Sequence, residues 1–287
     1  MLARYGNDLL ITQFLERVMS NNIAALASVL LIGSSQMAFA SEFNAPWRES
    51  NSVIIIDPYH LNDLNFDQLA KDKKVVAIIH QATQGLNVDV KYSDRRTEAL
   101  KRNILCGSYH LLTIDDVEQQ INLYLDTVGK HDNETYAIDI ECLITGSGLN
   151  PDGTAQCKPK FSGVTIEQTL SAVALFKKKT GTFPLLYMND SVTSGMKAAF
   201  ASNPDEYKSL RIWYARFKTD ISDVFPDGIW NTYTLWQFSS ELTCTPSPGD
   251  CAYRVPGADY KMDVNVYFGT EEQLRRNWPL NTSPNLR

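Results

Sequence analysis

The stretch Thr135-Tyr136-Ala137-Ile138-Asp139-Ile140-Glu141-Cys142 joins a run of strand-forming residues to two carboxylates. Alternate side chains of a strand share a face, so Asp139 and Glu141 point the same way, with Cα atoms roughly 6.6 Å apart. Repulsion and burial then raise the pKa of one carboxyl group and leave that of the other low. A proton donor beside a permanent anion is what cleavage of a glycosidic bond requires. The same spacing also occurs where such a pair caps a helix or binds an arginine.

Apolar runs of similar length lie on both sides of this stretch and alternate with helical patterns. The predicted strands are Val53–Ile56, Val75–Ile79, Ile104–Tyr109, Thr135–Ile140, Phe183–Met188, Arg211–Ala215, Tyr233–Phe238 and Met262–Val266. The predicted helices are Asp94–Arg102, Asp115–Val128 and Thr165–Lys179. Apolar strands that alternate with helices indicate a parallel sheet covered on both faces.

The alternation predicts an α/β fold: a single irregular (β/α)8-like, TIM-like barrel with parallel strands and helices outside. The length of 287 residues suits one such barrel. Val224–Trp230 contains Pro226 and Gly228, which disfavour a helix. Some helices should therefore be missing in the last third of the chain.

Polar and aromatic residues fall at or near the C-terminal ends of the predicted strands. In barrels of this kind the chemistry gathers at that end. The residues are Asp57, His110, Asp139, Glu141, Tyr187, Trp236, Gln237 and Asp263. We expect them to share one rim of the barrel.

The chain is acidic, with a net charge of −6. An acidic chain gains nothing from a phosphate backbone, so nucleic acid is not an expected partner. Affinity for an anionic wall polymer would have to come from a shaped cleft. We expect the protein to be a monomer.

Residues 1–40 have the pattern of a signal peptide. An apolar core of about ten residues, Ile23–Ile32, precedes the small-x-small site Ala38-Phe39-Ala40. Ten residues are too few to span a bilayer, so we expect no stable membrane anchor after cleavage. The alternative is a buried N-terminal helix. We expect residues 41–287 to be a secreted or periplasmic catalytic domain.

Five cysteines agree with export. Cys244 and Cys251 flank a turn-rich loop that a disulfide could close, and Cys142 and Cys157 bracket another loop. Cys106 lies in an apolar run and is then the free thiol. His60, His80 and His110 have no metal-site spacing, so we expect hydrogen-bonded structural roles for them and no metal.

Eight pieces of the chain, in this order, resemble the glycoside hydrolase family 25 lysozymes (Chalaropsis-type N-acetylmuramidases). They are Ile54–Asp57, Ile78–Gly85, Gly107–His110, Asp139–Glu141, Leu186–Asn189, Trp213–Ala215, Leu235–Phe238 and Asp263–Asn265. The resemblance covers about Val53 to Phe268, nearly all of the chain after residue 40.

The resemblance implies an irregular barrel that hydrolyses the β-1,4 bond between N-acetylmuramic acid and N-acetylglucosamine in peptidoglycan glycan strands, without a cofactor. It also implies an acidic cleft of four carboxylates: Asp57, Asp139, Glu141 and Asp263. Glu141 would protonate the leaving oxygen. Asp139 would stabilise positive charge on the sugar or orient its 2-acetamido group, and Asp57 and Asp263 would tune Glu141 and hold water or substrate.

Sugar rings stack on aromatic side chains, and amides bond their polar edges. The candidate substrate-binding residues are Tyr109, Tyr187, Asn189, Trp213, Trp236 and Gln237. Aromatic residues at strand ends also commonly pack in a barrel core, so we expect some of the four to be core residues. The alternative functions are a non-catalytic peptidoglycan-binding barrel and a chitin-type glycosidase.

Two features depart from the family pattern. Pro58 follows the first aspartate, where the family usually has a small apolar residue, and Leu143–Gly163 has the length of an insertion directly after the catalytic strand. A loop there would lie on the cleft rim and narrow the choice of substrate.

Overall fold

The apolar runs form strands close to their predicted bounds in the computed structural model, which describes residues 42–157, 163–247 and 249–281. The predicted signal peptide lies outside these residues. The strands are β1 (Ile54–Ile56), β2 (Val75–Gln84), β3 (Asn87–Val88), β4 (Leu105–Leu111), β5 (Thr135–Ile140), β6 (Cys142–Leu143), β7 (Gly163–Val164), β8 (Leu185–Asn189), β9 (Arg211–Ala215), β10 (Leu235–Ser239) and β11 (Val264–Tyr267).

The three predicted helices are present, and four more are found. The helices are α1 (Phe66–Leu69), α2 (Tyr92–Leu100), α3 (Val117–Val128), α4 (Ile166–Thr180), α5 (Asp190–Ala201), α6 (Pro204–Tyr207) and α7 (Glu271–Asn277). Helix α4 begins at a capping box between Thr165 and Gln168 and ends at Gly181, whose φ of 82° suits glycine. No helix in the described part of the chain has the length and apolarity needed to cross a bilayer.

Eight of the strands close into a barrel in the order β1-β11-β10-β9-β8-β5-β4-β2, and β2 pairs with β1. The pairs from β1 through β2, β4, β5, β8 and β9 to β10 are parallel, as predicted. The prediction was wrong for the last strand, since β11 runs antiparallel to both β10 and β1.

The connection before β11 allows this difference but does not require it, because β9 and β10 are also joined without a helix and still pair in parallel. A parallel return needs a long crossover, usually a helix, whereas a loop lets the chain turn back antiparallel. The described residues between β10 and β11 contain no helix, and neither do those between β9 and β10. The expectation that helices would be missing in the last third is therefore confirmed for the described residues.

The barrel interior follows the period of two along each strand. Ile55, Ala137, Leu185 and Leu235 belong to one buried cluster inside the barrel. The residue two positions after each of them points the same way, one layer closer to the C-terminal rim. These residues are Asp57, Asp139, Tyr187 and Gln237. The apolar layer is thus the floor on which the polar rim residues stand.

Candidate active site

A cleft of about 340 Å³ opens at the C-terminal ends of the strands. Seven of the ten predicted site residues line it: Tyr109, Asp139, Glu141, Tyr187, Asn189, Gln237 and Asp263. Of the eight residues expected on a common rim, five line the cleft, whereas Asp57, His110 and Trp236 do not.

Asp57 lies below the cleft, buried at the end of β1. Its carboxyl group accepts hydrogen bonds from the side-chain amides of Asn265 and Gln237, the latter at 2.8 Å. Its backbone N–H donates to the carbonyl of Asp263 at 3.3 Å, which ties the first strand to the last. Burial raises the pKa of Asp57 to about 8, although the two amide hydrogen bonds act in the opposite direction.

Asp139 faces the cleft from β5 and is only 8% exposed. Its pKa is raised well above the ordinary value, first by burial and then by the charges of Glu141, Asp57 and Asp263. Its Oδ1 atom is buried and has no hydrogen-bond partner among the described residues. A buried carboxyl oxygen without a partner, on the wall of a cleft, is suited to an N–H group or a positive charge of a ligand.

Glu141 follows the last residue of β5 and is half-buried in the cleft wall. Its backbone carbonyl accepts a 2.7 Å hydrogen bond from the side-chain amide of Asn189. The Oδ1 atom of Asn189 in turn caps helix α5 at the N–H of Val192. Asn189 therefore holds the backbone of Glu141 as well as lining the cleft.

Two tyrosines show that the four carboxylates converge. The pKa values of Tyr109 and Tyr187 are raised well above the ordinary value by burial. For each phenol, the charges of Asp57, Asp139, Glu141 and Asp263 all raise the pKa further. Since such an effect requires proximity, all four acids lie near the two phenols, and three of them line the same cleft.

A chain of hydrogen bonds links the cleft wall to the buried acid. The Tyr187 hydroxyl donates to the Oε1 atom of Gln237 at 2.8 Å, and the Gln237 amide donates to Asp57. Gln237 thus uses both of its amide atoms within the site.

Trp213 and Trp236 do not line the cleft, so their predicted placement there was wrong. Trp213 points inward but lies one layer too deep, with its indole N–H bonded to Asn265 and its ring against Tyr187. Trp236 has the opposite parity on its strand and packs outside the barrel against Trp47, with ring centroids 5.0 Å apart. The expectation that some of the four aromatic residues are core residues is confirmed.

The histidines have structural roles, as predicted. His110 is buried and bonded to Thr83 and Gln120, and burial lowers its pKa to about 4. His80 bonds the carbonyl of Gln81 and the guanidinium of Arg95, and burial lowers its pKa to about 4 as well. His60 contacts Asp89 at 3.3 Å. Within the described ranges no group of His, Cys, Asp and Glu residues could hold a metal ion.

Ten further described residues line the cleft, and the sequence analysis proposed none of them as site residues. Five of them are Tyr59, Gln81, Phe217, Glu241 and Lys261, whose polar, charged or aromatic side chains could contact a ligand. Tyr59 and Gln81 each had a signal, because Tyr59 comes soon after β1 and Gln81 lies in the rim part of β2. The other three lie in loops, where no periodic pattern indicates direction.

Both expected disulfides are present. Cys142 pairs with Cys157 and Cys244 pairs with Cys251, while Cys106 is a buried free thiol. The first disulfide begins at the residue after Glu141 and closes the insertion, where β6 and β7 also pair.

Solved structures of glycan-cleaving enzymes share this fold. The bacterial lysozyme of Streptomyces coelicolor superposes with a TM-score of 0.57 at 20% identity, over 79% of this chain and 96% of that one. A muramidase from Trichobolus zukalii gives 0.56 at 19% identity, over 78% and 97%. A family GH25 lysozyme from Aspergillus fumigatus gives 0.55 at 21% identity, over 80% and 99%. At these identities the likeness shows the fold alone.

The sequence itself supplies the family. No curated protein matches the chain. The sequence model of the glycosyl hydrolases family 25 matches residues 56–245, which include Asp57, Asp139 and Glu141 and end before Asp263. This match covers well over half of the chain, and the barrel has the fold of the solved family members. The chain therefore belongs to glycosyl hydrolase family 25 and is a glycosidase.

Proposed function

We propose that the protein is an exported muramidase that cleaves the β-1,4 bond between N-acetylmuramic acid and N-acetylglucosamine in peptidoglycan. The observation that carries this proposal is the convergence of Asp57, Asp139, Glu141 and Asp263 around one cleft in a family 25 barrel. The similar solved structures include a lysozyme and a muramidase, which supports the same substrate class.

Glu141 is the proposed general acid. It is half-buried and lines the cleft in which a glycan strand would lie. Proton transfer to the leaving oxygen lets the bond break as positive charge develops on the sugar. The Asn189 hydrogen bond to its carbonyl holds the backbone in place for this transfer.

Asp139 is the proposed stabiliser of the charged sugar or of its 2-acetamido group. Its raised pKa shows that its negative charge is costly in the empty cleft. A positive charge on the sugar removes that cost, so the interaction is stronger in the transition state than in the ground state. The partnerless Oδ1 atom is also a ready acceptor for an acetamido N–H. Asp57 and Asp263 are proposed to tune Glu141 and to hold water or substrate.

Export is proposed from the N-terminal pattern and is supported by the disulfides. Two disulfides in one barrel fit an oxidising compartment outside the cytoplasm. Residues 41–287 would then be the mature, monomeric catalytic domain, either secreted or periplasmic. The mass of the protein recovered outside the cytoplasm tests this, because cleavage after Ala40 leaves Ser41 at the N-terminus.

Loss of wall clearing by Glu141→Gln tests the activity. With purified cell walls, wild type should clear turbidity, and Glu141→Gln should be slower by about 10²–10⁴-fold because the proton donor is gone. Binding to the walls should remain. Glu167→Gln removes one carboxylate from the exposed outer helix α4 and should clear walls like wild type. Wild type that binds walls but never clears them would identify a non-catalytic binding barrel instead.

A further inference from the structure

The described residues of the acidic cleft include one cation. Among the described residues that line it, Lys261 is the only basic side chain, beside the acids Asp139, Glu141, Glu241 and Asp263. Lys261 is exposed and lies two residues before Asp263, in the loop that leads to β11. A catalytic site for a neutral sugar polymer has no evident need of this charge.

The backbone of Lys261 is fixed by two loops. Its N–H donates to the Oδ1 atom of Asp259 at 2.8 Å, and its carbonyl accepts from the amide of buried Asn62 at 3.4 Å. The Oδ2 atom of Asp259 accepts from the N–H of Asp63 at 2.7 Å. The loop after β1 and the loop before β11 therefore hold each other, and the position at which the lysine leaves the backbone is set.

The ammonium group, in contrast, is available to a ligand. In the described part of the chain no carboxylate lies within ion-pair distance of it. It lies 5.8 Å from the centre of the Tyr260 ring. Tyr59 lies near the same loop, since the charges of Glu241, Asp263 and Asp259 all raise its pKa after burial does. This end of the cleft thus offers an aromatic ring and a cation together.

We propose that Lys261 binds a carboxylate of the substrate and so selects an anionic, peptide-bearing glycan over a neutral one. This inference rests on the proposed function. Peptidoglycan differs from chitin by a lactyl ether on alternate sugars and by the peptide stems attached to it, and both can present carboxylates. The acids of the cleft repel such groups, so a carboxylate is favoured at the position of Lys261.

The experiment compares Lys261→Gln with wild type on sacculi whose carboxylates are free and on sacculi whose carboxylates are converted to amides. On native sacculi the KM should rise about fivefold, the factor expected for a partly exposed ion pair. On amidated sacculi the two proteins should have the same KM. Lys73→Gln, which removes an equal charge from an exposed turn before β2, controls for net charge. An equal rise of the KM on native and amidated sacculi would show that Lys261 only compensates the negative charge of the cleft, and it would overturn the inference.

Glycan strands whose stems have been removed distinguish the two sources of the carboxylate. Removal of a stem breaks its amide bond to the lactyl group and frees the lactyl carboxylate. A difference that persists on these strands therefore shows that Lys261 binds the lactyl carboxylate of stemless sugars, and one that disappears assigns the carboxylates of the stems. If wild type cleaves no substrate, the proposed function fails by itself. Dissociation constants of Glu141→Gln and of Glu141→Gln/Lys261→Gln for native and amidated strands then decide the inference, because weaker binding confined to native strands supports it and equal binding overturns it.

Discussion

Asp139 is the residue at which burial and function conflict. Its pKa is raised because its charge is surrounded by protein and by three other acids. Nothing in the described structure compensates for the buried Oδ1 atom. Such an arrangement destabilises the folded chain, and this cost is tolerated where the residue serves the reaction.

The variant Asp139→Asn should separate these two effects. We expect kcat to fall by about 10²–10³-fold, because a neutral amide cannot stabilise positive charge on the sugar. We expect the free energy of unfolding at pH 8 to rise by about 1 kcal/mol or more, because the cost of the buried acid is removed. Steady-state kinetics and urea unfolding on the same preparation measure both. A variant that is active and less stable would show a purely structural role.

Asp57 gives a prediction about pH. Its pKa of about 8 in the folded protein lies above the ordinary 3.8, so the folded state holds a proton that the unfolded state releases. This contribution to stability is fully present below about pH 4, is lost as the pH rises towards 8, and stays constant above that. In Asp57→Asn this decline should be absent.

Urea unfolding at pH 5, 7 and 9 measures the difference between wild type and Asp57→Asn. At pH 5 the substitution Asp57→Asn should lower the free energy of unfolding by about 1–3 kcal/mol, because it disturbs the hydrogen bonds from Asn265 and Gln237. The gap between the two proteins should narrow steadily towards pH 9. A gap that is constant with pH would mean that Asp57 is already ionised in the folded protein.

The residue types in the sequence predicted which carboxylates form the site, but not which layer or face of the barrel each aromatic side chain occupies. Asp57, Asp139, Glu141 and Asp263 converge because each belongs to the rim end of a strand. Trp213 belongs to a rim strand too, but it lies one layer below, and Trp236 has the opposite parity. The sequence alone did not give these positions, because the layer of a side chain depends on the register between strands.

Among the elements, the insertion after β5 deserves a direct test because it begins beside Glu141. The Cys142–Cys157 disulfide closes 15 residues of chain there. Cys142→Ser/Cys157→Ser should lose about 2–4 kcal/mol of stability. It should also lose at least about tenfold in kcat, since small displacements of a catalytic group are costly.

The second disulfide is the matched comparison for this test. Cys244→Ser/Cys251→Ser opens a shorter loop, with a separation of 7 residues, which is not adjacent to Glu141 in the chain. It should affect kcat less than the first pair does. If both pairs reduce kcat equally, the first disulfide has no specific role in holding Glu141.

The bounds of the strands were predicted more accurately than the direction of the last strand or the helices that connect the strands. Thr135–Ile140 and Arg211–Ala215 form strands with the predicted bounds, because apolar runs bounded by polar residues mark buried strands clearly. The antiparallel direction of β11 was missed, since apolar content is the same in either direction. Helix α5 was missed as well, because its capping residue Asn189 also serves the site.

At the scale of the whole molecule, the barrel brings together acids that lie more than 200 residues apart in the chain. Asp57 and Asp263 share a backbone hydrogen bond because the last strand lies between the first strand and β10. No local pattern predicts that closure. The order of strands and helices along the whole chain predicted a closed barrel, the family resemblance implied the same fold, and the strand order confirms it.

The identity of the new reducing end is the most direct test of the whole account. The mature protein should digest purified sacculi, and reduction with borohydride followed by mass analysis should find N-acetylmuramitol at the new ends. The same digest with Glu141→Gln should contain none. New ends of N-acetylglucosaminitol, or no new ends with wild type, would contradict the proposal that the protein cleaves the bond after N-acetylmuramic acid with Glu141 as its general acid.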